Sequence, residues 1–202
     1  MEDIAKLLIE SGCYIKNNTN DKISTTYGDQ VLAYLCCRLA ISNVEVRQKI
    51  INELAKVIYN KYGNGITIAG MATAGIPWAT GVAEKLNTPL LYLRSTPKEY
   101  GLKNLVEGNL KYSTDKIVVM DDVLYTGQTV QIGINALQEK GLEVVGVSML
   151  AKLSEQAEQR FIANNIDVTC LTNYEEILDA ALQNGIVDQG EKVKMLKFYR
   201  SH

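Results

Sequence analysis

Two adjacent carboxylates, Asp121 and Asp122, follow directly on an unbroken apolar run at residues 117–120. A short apolar run bounded by charged residues is typical of a strand buried on both faces of a parallel sheet, and we expect this strand to stop at the two acids. Open α/β sheets bind their ligands at the carboxyl ends of such strands. Carboxylates placed there can accept hydrogen bonds from vicinal hydroxyls or hold a magnesium ion. The acid pair therefore predicts a site for a polar ligand.

The turn after the acids, residues 123–129, contains Gly127 and two hydroxyl side chains, Thr126 and Thr129. Apolar residues recur at helical spacing from Gln128 onward, so the turn leads into a helix. A helix N-terminus presents unbonded N–H groups and partial positive charge, which favour a phosphate dianion. The alternative is an ordinary strand, turn and helix whose polar residues only cap the helix, but a cap needs one such residue and this stretch has four. We therefore predict a phosphate cradle.

The stretch VVMDDVLYTGQT resembles the phosphoribosyl-diphosphate signature of type I phosphoribosyltransferases. That signature is an apolar strand, two acidic residues, three further residues, Thr-Gly, one residue, and Ser or Thr. The resemblance implies that residues 124–129 hold the 5′-phosphate and that Asp121 and Asp122 bind the ribose hydroxyls. It also implies Mg²⁺ as cofactor, bound through the substrate with Asp121 or Asp122 as a candidate contact, and no set of tight direct protein ligands. The implied donor contacts in this stretch are Asp121, Asp122, Val123, Leu124, Tyr125, Thr126, Gly127, Gln128 and Thr129.

Composition narrows the class of protein. The chain has 202 residues, and its net charge of −2 comes from interspersed acidic and basic residues, so no electrostatic footprint for nucleic acid is visible. No apolar stretch approaches the length of a membrane span, and the N-terminus is acidic rather than signal-like, so we expect a cytoplasmic protein without a membrane partner. The four cysteines lack metal or redox spacing, which indicates buried reduced thiols. The single histidine is His202, which argues against a histidine base or a histidine metal site.

The sequence of residues 3–62 predicts two helices, with a hairpin and a segment of undecided secondary structure between them. In order, we predict a helix over 3–10, a hairpin over 13–28, a buried strand or the start of a helix over 31–41, and a long helix from Asn43 to about Tyr62. Gly12 is the expected stop of the first helix, and Asn43 is the expected N-cap of the long one.

A second loop could approach a ligand closely. Residues 66–69 predict a strand, a helix is predicted over 76–86, and the loop between them is rich in small residues. The loop resembles the diphosphate loop of the orotate branch of the family, Gly-x-Ala-x-x-Gly-Ile-Pro, and the resemblance implies Ala72 and Gly75 as donor contacts. A tight turn without a ligand is the alternative.

A long polar stretch, residues 95–109, follows a predicted strand at 89–94, and loops of this length are usually lids or disordered. It resembles the mobile catalytic loop of orotate phosphoribosyltransferases. The matching residues are Arg94, Lys98, Tyr100, Gly101, Glu107 and Gly108. Ser95 replaces the first lysine of that motif, and Lys103 is an additional cation. The resemblance implies catalytic roles for Lys98 and Arg94 on the departing diphosphate, together with Asp122, and donor binding by Tyr100 and Lys103.

Strands alternating with helices predict the fold class. The remaining elements are strands over 143–150 and 167–171 and helices over 155–164 and 174–183. We therefore expect an α/β protein with a mostly parallel five-stranded sheet flanked by helices, and the resemblance implies the type I phosphoribosyltransferase fold. We expect residues 1–42 to form an N-terminal hood segment, 43–185 the core and 186–202 a tail that is a second candidate for the hood.

The hood segment departs from the orotate branch, which has Lys-Ser-Gly-x-x-Ser-Pro-x-Tyr-x-Asp at this place. Ser24, Tyr27 and Asp29 match its second half. Thr19 falls at the position of the base-contacting lysine, although Lys22 lies close by in the sequence.

Two further positions that would read the base are also changed. Tyr125 stands where the branch usually has Thr, and Lys152 aligns with an Arg that meets the orotate carboxylate. Lysine keeps the charge but loses the bidentate fork of arginine. The candidate base contacts are Tyr125, Lys152, Tyr27 and Lys22.

The resemblance implies a homodimeric, magnesium-dependent transferase. It would move the phosphoribosyl group of phosphoribosyl diphosphate to orotate, giving orotidine 5′-phosphate and diphosphate in pyrimidine nucleotide biosynthesis. One alternative is a related enzyme with a different base acceptor. Another is a non-catalytic sensor of phosphoribosyl diphosphate or nucleotides. Lys98 favours an enzyme, whereas the missing second lysine at position 95 leaves the sensor open.

Overall fold

Strands and helices alternate along most of the chain. The structure is a computed structural model that describes residues 3–16, 23–24, 30–31, 33–96 and 104–200. Its helices are α1 (Ile4–Glu10), α2 (Val44–Tyr62), α3 (Gly75–Leu86), α4 (Gln128–Gln138), α5 (Glu155–Ala163), α6 (Tyr174–Gln183) and α7 (Gln189–Arg200). Its strands are β1 (Tyr14–Lys16), β2 (Ile23–Ser24), β3 (Gln30–Val31), β4 (Ala33–Leu35), β5 (Thr67–Met71), β6 (Leu90–Leu93), β7 (Val106–Glu107), β8 (Lys116–Leu124), β9 (Glu143–Lys152) and β10 (Asp167–Asn173). Short 3₁₀ helices lie at Cys37–Ser42 and Leu110–Tyr112.

The main sheet has the strand order β10-β9-β8-β5-β6-β7. The first five strands of this order are parallel, which confirms the predicted α/β class and its five parallel strands. The two-residue strand β7 adds an antiparallel edge to β6. It was not predicted, because two residues are too few to show the alternation that marks a strand.

The central strand β8 is longer than expected. Our prediction that it stops at the acids was wrong, because the strand continues through Asp121 and Asp122 to Leu124. Its neighbour β9 is equally extended and pairs with it beyond the acids, with Asp121 opposite Met149 and Leu124 opposite Lys152. The backbone hydrogen bonds of this ladder hold the acids within a strand rather than in a loop.

Two apolar cores lie on the two faces of the sheet, and β8 contributes to both. Val118 and Met120 pack in the core with α2 and α3, whereas Ile117 and Val119 pack in the core with α4 and α5. All four side chains are fully buried, as predicted for this run. Each burial contributes roughly 1.5–3 kcal/mol, so the strand that carries the acids is firmly anchored.

The N-terminal strands pair differently from the predicted hairpin over 13–28. β1 pairs antiparallel with β4, and β2 pairs antiparallel with β3, so both strands within that segment have partners beyond it. The undecided segment 31–41 contains strand β4 followed by the 3₁₀ helix Cys37–Ser42. α1 and α2 have the expected boundaries, and the Asn43 side chain accepts a hydrogen bond from the Val46 N–H at 3.2 Å.

The N-terminal segment packs against the C-terminal helix. The Tyr14 hydroxyl donates to Met195 Sδ at 2.9 Å, and Lys16 Nζ lies 2.6 Å from Glu191 Oε1. Two distant parts of the sequence therefore meet at the same side of the molecule. No helix in the described part of the chain combines the length and the apolar character that crossing a bilayer requires.

Candidate functional site

The acid pair lines a cavity of about 330 Å³ at the carboxyl end of β8. Asp121 Oδ1 accepts a hydrogen bond from the Asp122 N–H at 2.9 Å. Burial and the neighbouring charge of Asp122 raise the pKa of Asp121 to about 8, while the Arg38 guanidinium opposes the shift. Burial also raises the pKa of Asp122, again against the effect of Arg38. Both side chains are half-buried, and a bound cation or hydroxyl donors would stabilise their charged forms.

The β5-α3 loop lies directly beside the acids because Gly75 allows it. A Cβ at Gly75 would collide with the Met120 carbonyl oxygen and lie 3.0 Å from Asp121 Cα. The loop residues Ala72, Thr73 and Ala74 line the same cavity as the acids. The structure thus brings the predicted diphosphate loop and the acid pair to one place.

The predicted phosphate cradle is the turn between β8 and α4. Gly127 has φ +70° at the start of α4, a conformation that favours glycine. The first-turn N–H groups of the helix have no partners within it and are directed outward. The Thr126 hydroxyl accepts from the Gln128 N–H at 3.4 Å, and Thr129 lines the cavity with the acids.

Helix α5 supports this turn from the side. The Phe161 ring would lie 3.0 Å from a Cβ added at Gly127, and the Arg160 guanidinium donates to the Thr126 carbonyl oxygen. Tyr125, Thr126, Gln128 and Arg160 also border a second cavity of about 490 Å³ on the outer side of the turn. We did not predict Arg160 or Phe161, because they lie some 30 residues along the chain from the turn that they support.

Only some of the other predicted donor contacts line the cavity of the acid pair. Val123 lines the cavity, whereas the Leu124 side chain is fully buried and contributes its carbonyl to a hydrogen bond from the Leu153 N–H at 2.8 Å. Arg94 Nε donates to the Thr96 carbonyl at 3.2 Å, and the adjacent Ser95 lines the cavity. The predicted residues Lys98, Tyr100, Lys103, Tyr27 and Lys22 lie outside the described residues. Their roles stay predictions.

Lys152, a predicted base contact, is bound by two glutamates of α5. Its Nζ lies 3.0 Å from Glu155 Oε1 and 2.6 Å from Glu158 Oε2. Burial lowers the pKa of Lys152, but these two partners outweigh burial and raise it. Lys152 does not belong to the described lining of the 330 Å³ cavity.

Residues that we did not predict complete the cavity. Tyr34 and Arg38 come from β4 and the following 3₁₀ helix, and Tyr199 comes from α7. Tyr199 is buried, and burial together with the nearby Tyr125 raises its pKa to about 12. Arg38 is the one charged residue in the otherwise apolar segment 31–42, and this was the available signal. Tyr199 offers no comparable signal, because only the fold brings α7 to the cavity.

The comparisons with known proteins agree with this geometry. The model of the phosphoribosyl transferase domain matches residues 40–184. The orotate phosphoribosyltransferase of Phocaeicola vulgatus is 37% identical over 164 residues, which is 81% of this chain and 76% of that protein. The one from Porphyromonas gingivalis is 35% identical over 198 residues, which is 98% of this chain and 93% of that protein.

A solved structure has the same fold. The crystal structure of orotate phosphoribosyltransferase from Aeropyrum pernix superposes with a TM-score of 0.74 at 23% identity, covering 87% of this chain and 97% of that one. At this identity the likeness concerns the fold alone. It agrees with the sheet and helix arrangement that surrounds the cavity.

Proposed function

The chain belongs to the phosphoribosyl transferase family, in its orotate phosphoribosyltransferase branch, and on this basis we propose that it transfers phosphoribosyl from phosphoribosyl diphosphate to orotate. The products are orotidine 5′-phosphate and diphosphate, in pyrimidine nucleotide biosynthesis. The observation that carries this proposal is one cavity lined by the acid pair, by Thr129 of the phosphate turn and by the small-residue loop 72–74.

The acid pair and the turn are assigned to the donor. Asp121 and Asp122 accept hydrogen bonds from the ribose hydroxyls, since carboxylates at a strand end provide acceptors of this kind. Thr126, Gly127 and Thr129 bind the 5′-phosphate through hydroxyls and the N–H groups at the start of α4. The positive φ of Gly127 supports this assignment, because it turns the chain sharply enough for those N–H groups to converge.

Breaking the anomeric bond creates an oxocarbenium-like sugar and an anionic leaving group, and it requires no protein nucleophile. Arg94 and Lys98 are assigned to the diphosphate, because cations that meet developing negative charge lower the barrier. The small side chain of Ala72 allows the diphosphate to approach the loop backbone, and Gly75 lets that loop lie beside the acids. The family resemblance also assigns Tyr100 and Lys103 to the donor.

Mg²⁺ is proposed as the cofactor. The described residues contain no group of three or more His, Cys, Asp or Glu side chains that could hold a metal by themselves. Asp121 and Asp122 nevertheless fit an ion that takes most of its ligands from substrate and water. Burial raises the pKa of each carboxyl by disfavouring its charged form, and a nearby cation would stabilise that form. When bound, the ion supplies positive charge to the departing diphosphate.

An acceptor panel tests the function. Orotate, uracil, hypoxanthine and nicotinate are each supplied with phosphoribosyl diphosphate and Mg²⁺, and we expect turnover with orotate to exceed the others. Preferred use of another base would support a related transferase, which the glutamate-bound Lys152 favours. Donor binding by calorimetry without turnover of any base would support the sensor instead.

A cytoplasmic homodimer is also part of the proposal. The family resemblance supports the dimer, in which the mobile loop of one protomer reaches the site of its partner. Light scattering on the purified protein should give a mass near 45 kDa, which is about twice the 22.4 kDa of one chain. A monomer mass with full orotate turnover would contradict a shared site.

A further inference from the structure

Arg38 is the cation of the cavity. Among the described residues that line it, no other side chain is positively charged, and two are the acids Asp121 and Asp122. The guanidinium is close enough to both carboxylates to oppose the effect of burial on each. The two acids of the cavity therefore have a positive group near them, on the 3₁₀ helix Cys37–Ser42.

Local packing holds Arg38 in place. Cys37 and Ala40 of the 3₁₀ helix are fully buried and anchor it in the core. A hydrogen bond with the Tyr34 side chain contributes to the raised pKa of Arg38. Arg38 Nη2 also lies 3.5 Å from Cys36 Sγ. Arg38 is thereby held at the solvent-exposed rim of the cavity that it lines.

The other candidate cation for an acidic base is already compensated. Lys152 contacts two carboxylates, and its side chain is only 16% exposed. Removing it from Glu155 and Glu158 to meet a ligand would leave two carboxylates without this partner. Arg38 therefore has the stronger claim to an incoming anion, because it lines the cavity and Lys152 does not.

An acceptor that carries a carboxylate needs such a cation. It enters a cavity that already holds two acids, and like charges in a partly buried site repel. A guanidinium can bind a planar carboxylate with two parallel hydrogen bonds. Tyr34, Tyr125 and Tyr199 line the same space and offer aromatic surfaces to a planar ring.

Resting on the proposed function, we propose that Arg38 is the specificity-determining residue that pairs with the carboxylate of the acceptor base. Lys152 then orients the start of α5 through its glutamates and does not contact the base. The acceptor side thus uses an arginine from the N-terminal segment.

Two substitutions at Arg38 test this assignment. Arg38→Gln removes the charge and is expected to raise the KM for orotate about 10- to 100-fold, the range for losing a charge-assisted hydrogen-bonded pair. Arg38→Lys keeps the charge without the fork, so an intermediate increase is expected. The Kd of phosphoribosyl diphosphate, measured by calorimetry with Mg²⁺, should change less than about threefold, since a paired carboxylate on the acceptor is absent from that complex.

Arg200→Gln is the matched control, because Arg200 is an exposed arginine of α7 that pairs with Glu175. It should leave the KM for orotate unchanged. An orotate KM that is unchanged in Arg38→Gln, or a donor Kd that rises by the same factor, would overturn the assignment. An increase with Lys152→Gln but not with Arg38→Gln would return the role to Lys152. Wild-type protein that binds the donor but does not turn over orotate would instead contradict the proposed function itself.

Discussion

The two sides of the cavity that we assign to the donor and to the acceptor, called the donor side and the acceptor side, are built in different ways. The donor side consists of the acid pair and phosphate turn, residues 121–129, with the loop 72–74 held next to it by two parallel strands. The acceptor side joins β4, Arg38 and Tyr199, which come from opposite ends of the sequence. The first is a local structure between a strand and a helix. The second depends on the pairing of β4 with β1 and on the packing of β1 against α7. The comparison teaches that chemistry common to a family can be local, while selectivity depends on tertiary packing.

The strongest test of this division is Lys98→Ala. We expect kcat to fall about 10²- to 10³-fold, the usual loss when a group that stabilises transition-state charge is removed. Nucleotide binding, measured by calorimetry, should remain largely intact. Lys85→Ala, in the last turn of α3, is a control that should not change kcat. Unchanged turnover in Lys98→Ala would refute the assigned role.

Gly127→Ala sharpens the comparison on the donor side. The backbone there has φ +70°, and the new methyl would press on Phe161. We expect the Kd of phosphoribosyl diphosphate to rise about 10-fold, with a loss of roughly 1–2 kcal/mol in the free energy of unfolding. Gly141→Ala has a similar φ of +78° and open space around it. This control should lose stability to a similar degree but keep its affinity for phosphoribosyl diphosphate. Equal donor affinities for the two variants would contradict a phosphate-binding role for the turn at Gly127.

A smaller effect is expected from Asp121→Asn in the absence of ligand. The folded pKa of Asp121, about 8, lies above the ordinary value of 3.8. The folded protein therefore binds a proton more tightly than the unfolded chain, so Asp121 lowers stability as the pH rises from about 4 to 8. Asp121→Asn removes this dependence. The gain in the free energy of unfolding of the variant over wild type should be about 1–3 kcal/mol larger at pH 8 than at pH 5. Thermal unfolding at the two pH values measures it.

With ligand bound, we expect wild type rather than Asp121→Asn to gain stability at pH 8. Phosphoribosyl diphosphate with Mg²⁺ should stabilise wild type at pH 8 and stabilise Asp121→Asn much less, because binding uses the ionised carboxylate. Identical pH profiles for the two proteins would show that Asp121 is not the group with the raised pKa.

The donor side could largely be predicted from the sequence because its information is local. The apolar run, the acids and Gly127 lie within residues 117–127, and the type of each residue is enough to predict its local role. The end of β8 could not be predicted from its own residues, since the ladder with β9 extends it past the acids. Strand pairing in the N-terminal segment failed for the same reason, because the partners of β1 and β2 lie beyond the segment that we considered.

The acceptor side was only partly predictable. Tyr125 was identified because it lies within the local motif, whereas Tyr199 and Tyr34 reach the cavity through packing alone. The role of Lys152 as a base contact stays a prediction, and the structure adds that its charge is paired with two glutamates. Glu155 and Glu158 follow it within six residues, and this spacing could have indicated that its charge is already paired.

The close contact at Gly75 limits where this protein can change. Since not even a methyl group fits between α3 and the Met120-Asp121 backbone, the donor half tolerates few alterations along that seam. Arg38, by contrast, has an exposed side chain on the 3₁₀ helix after β4, whereas Tyr199 is buried beside Tyr174. Efforts to redirect the protein toward new bases should therefore mutate Arg38 and leave the seam and Tyr199 alone, and such variants would explore acceptor preference while retaining the sugar donor.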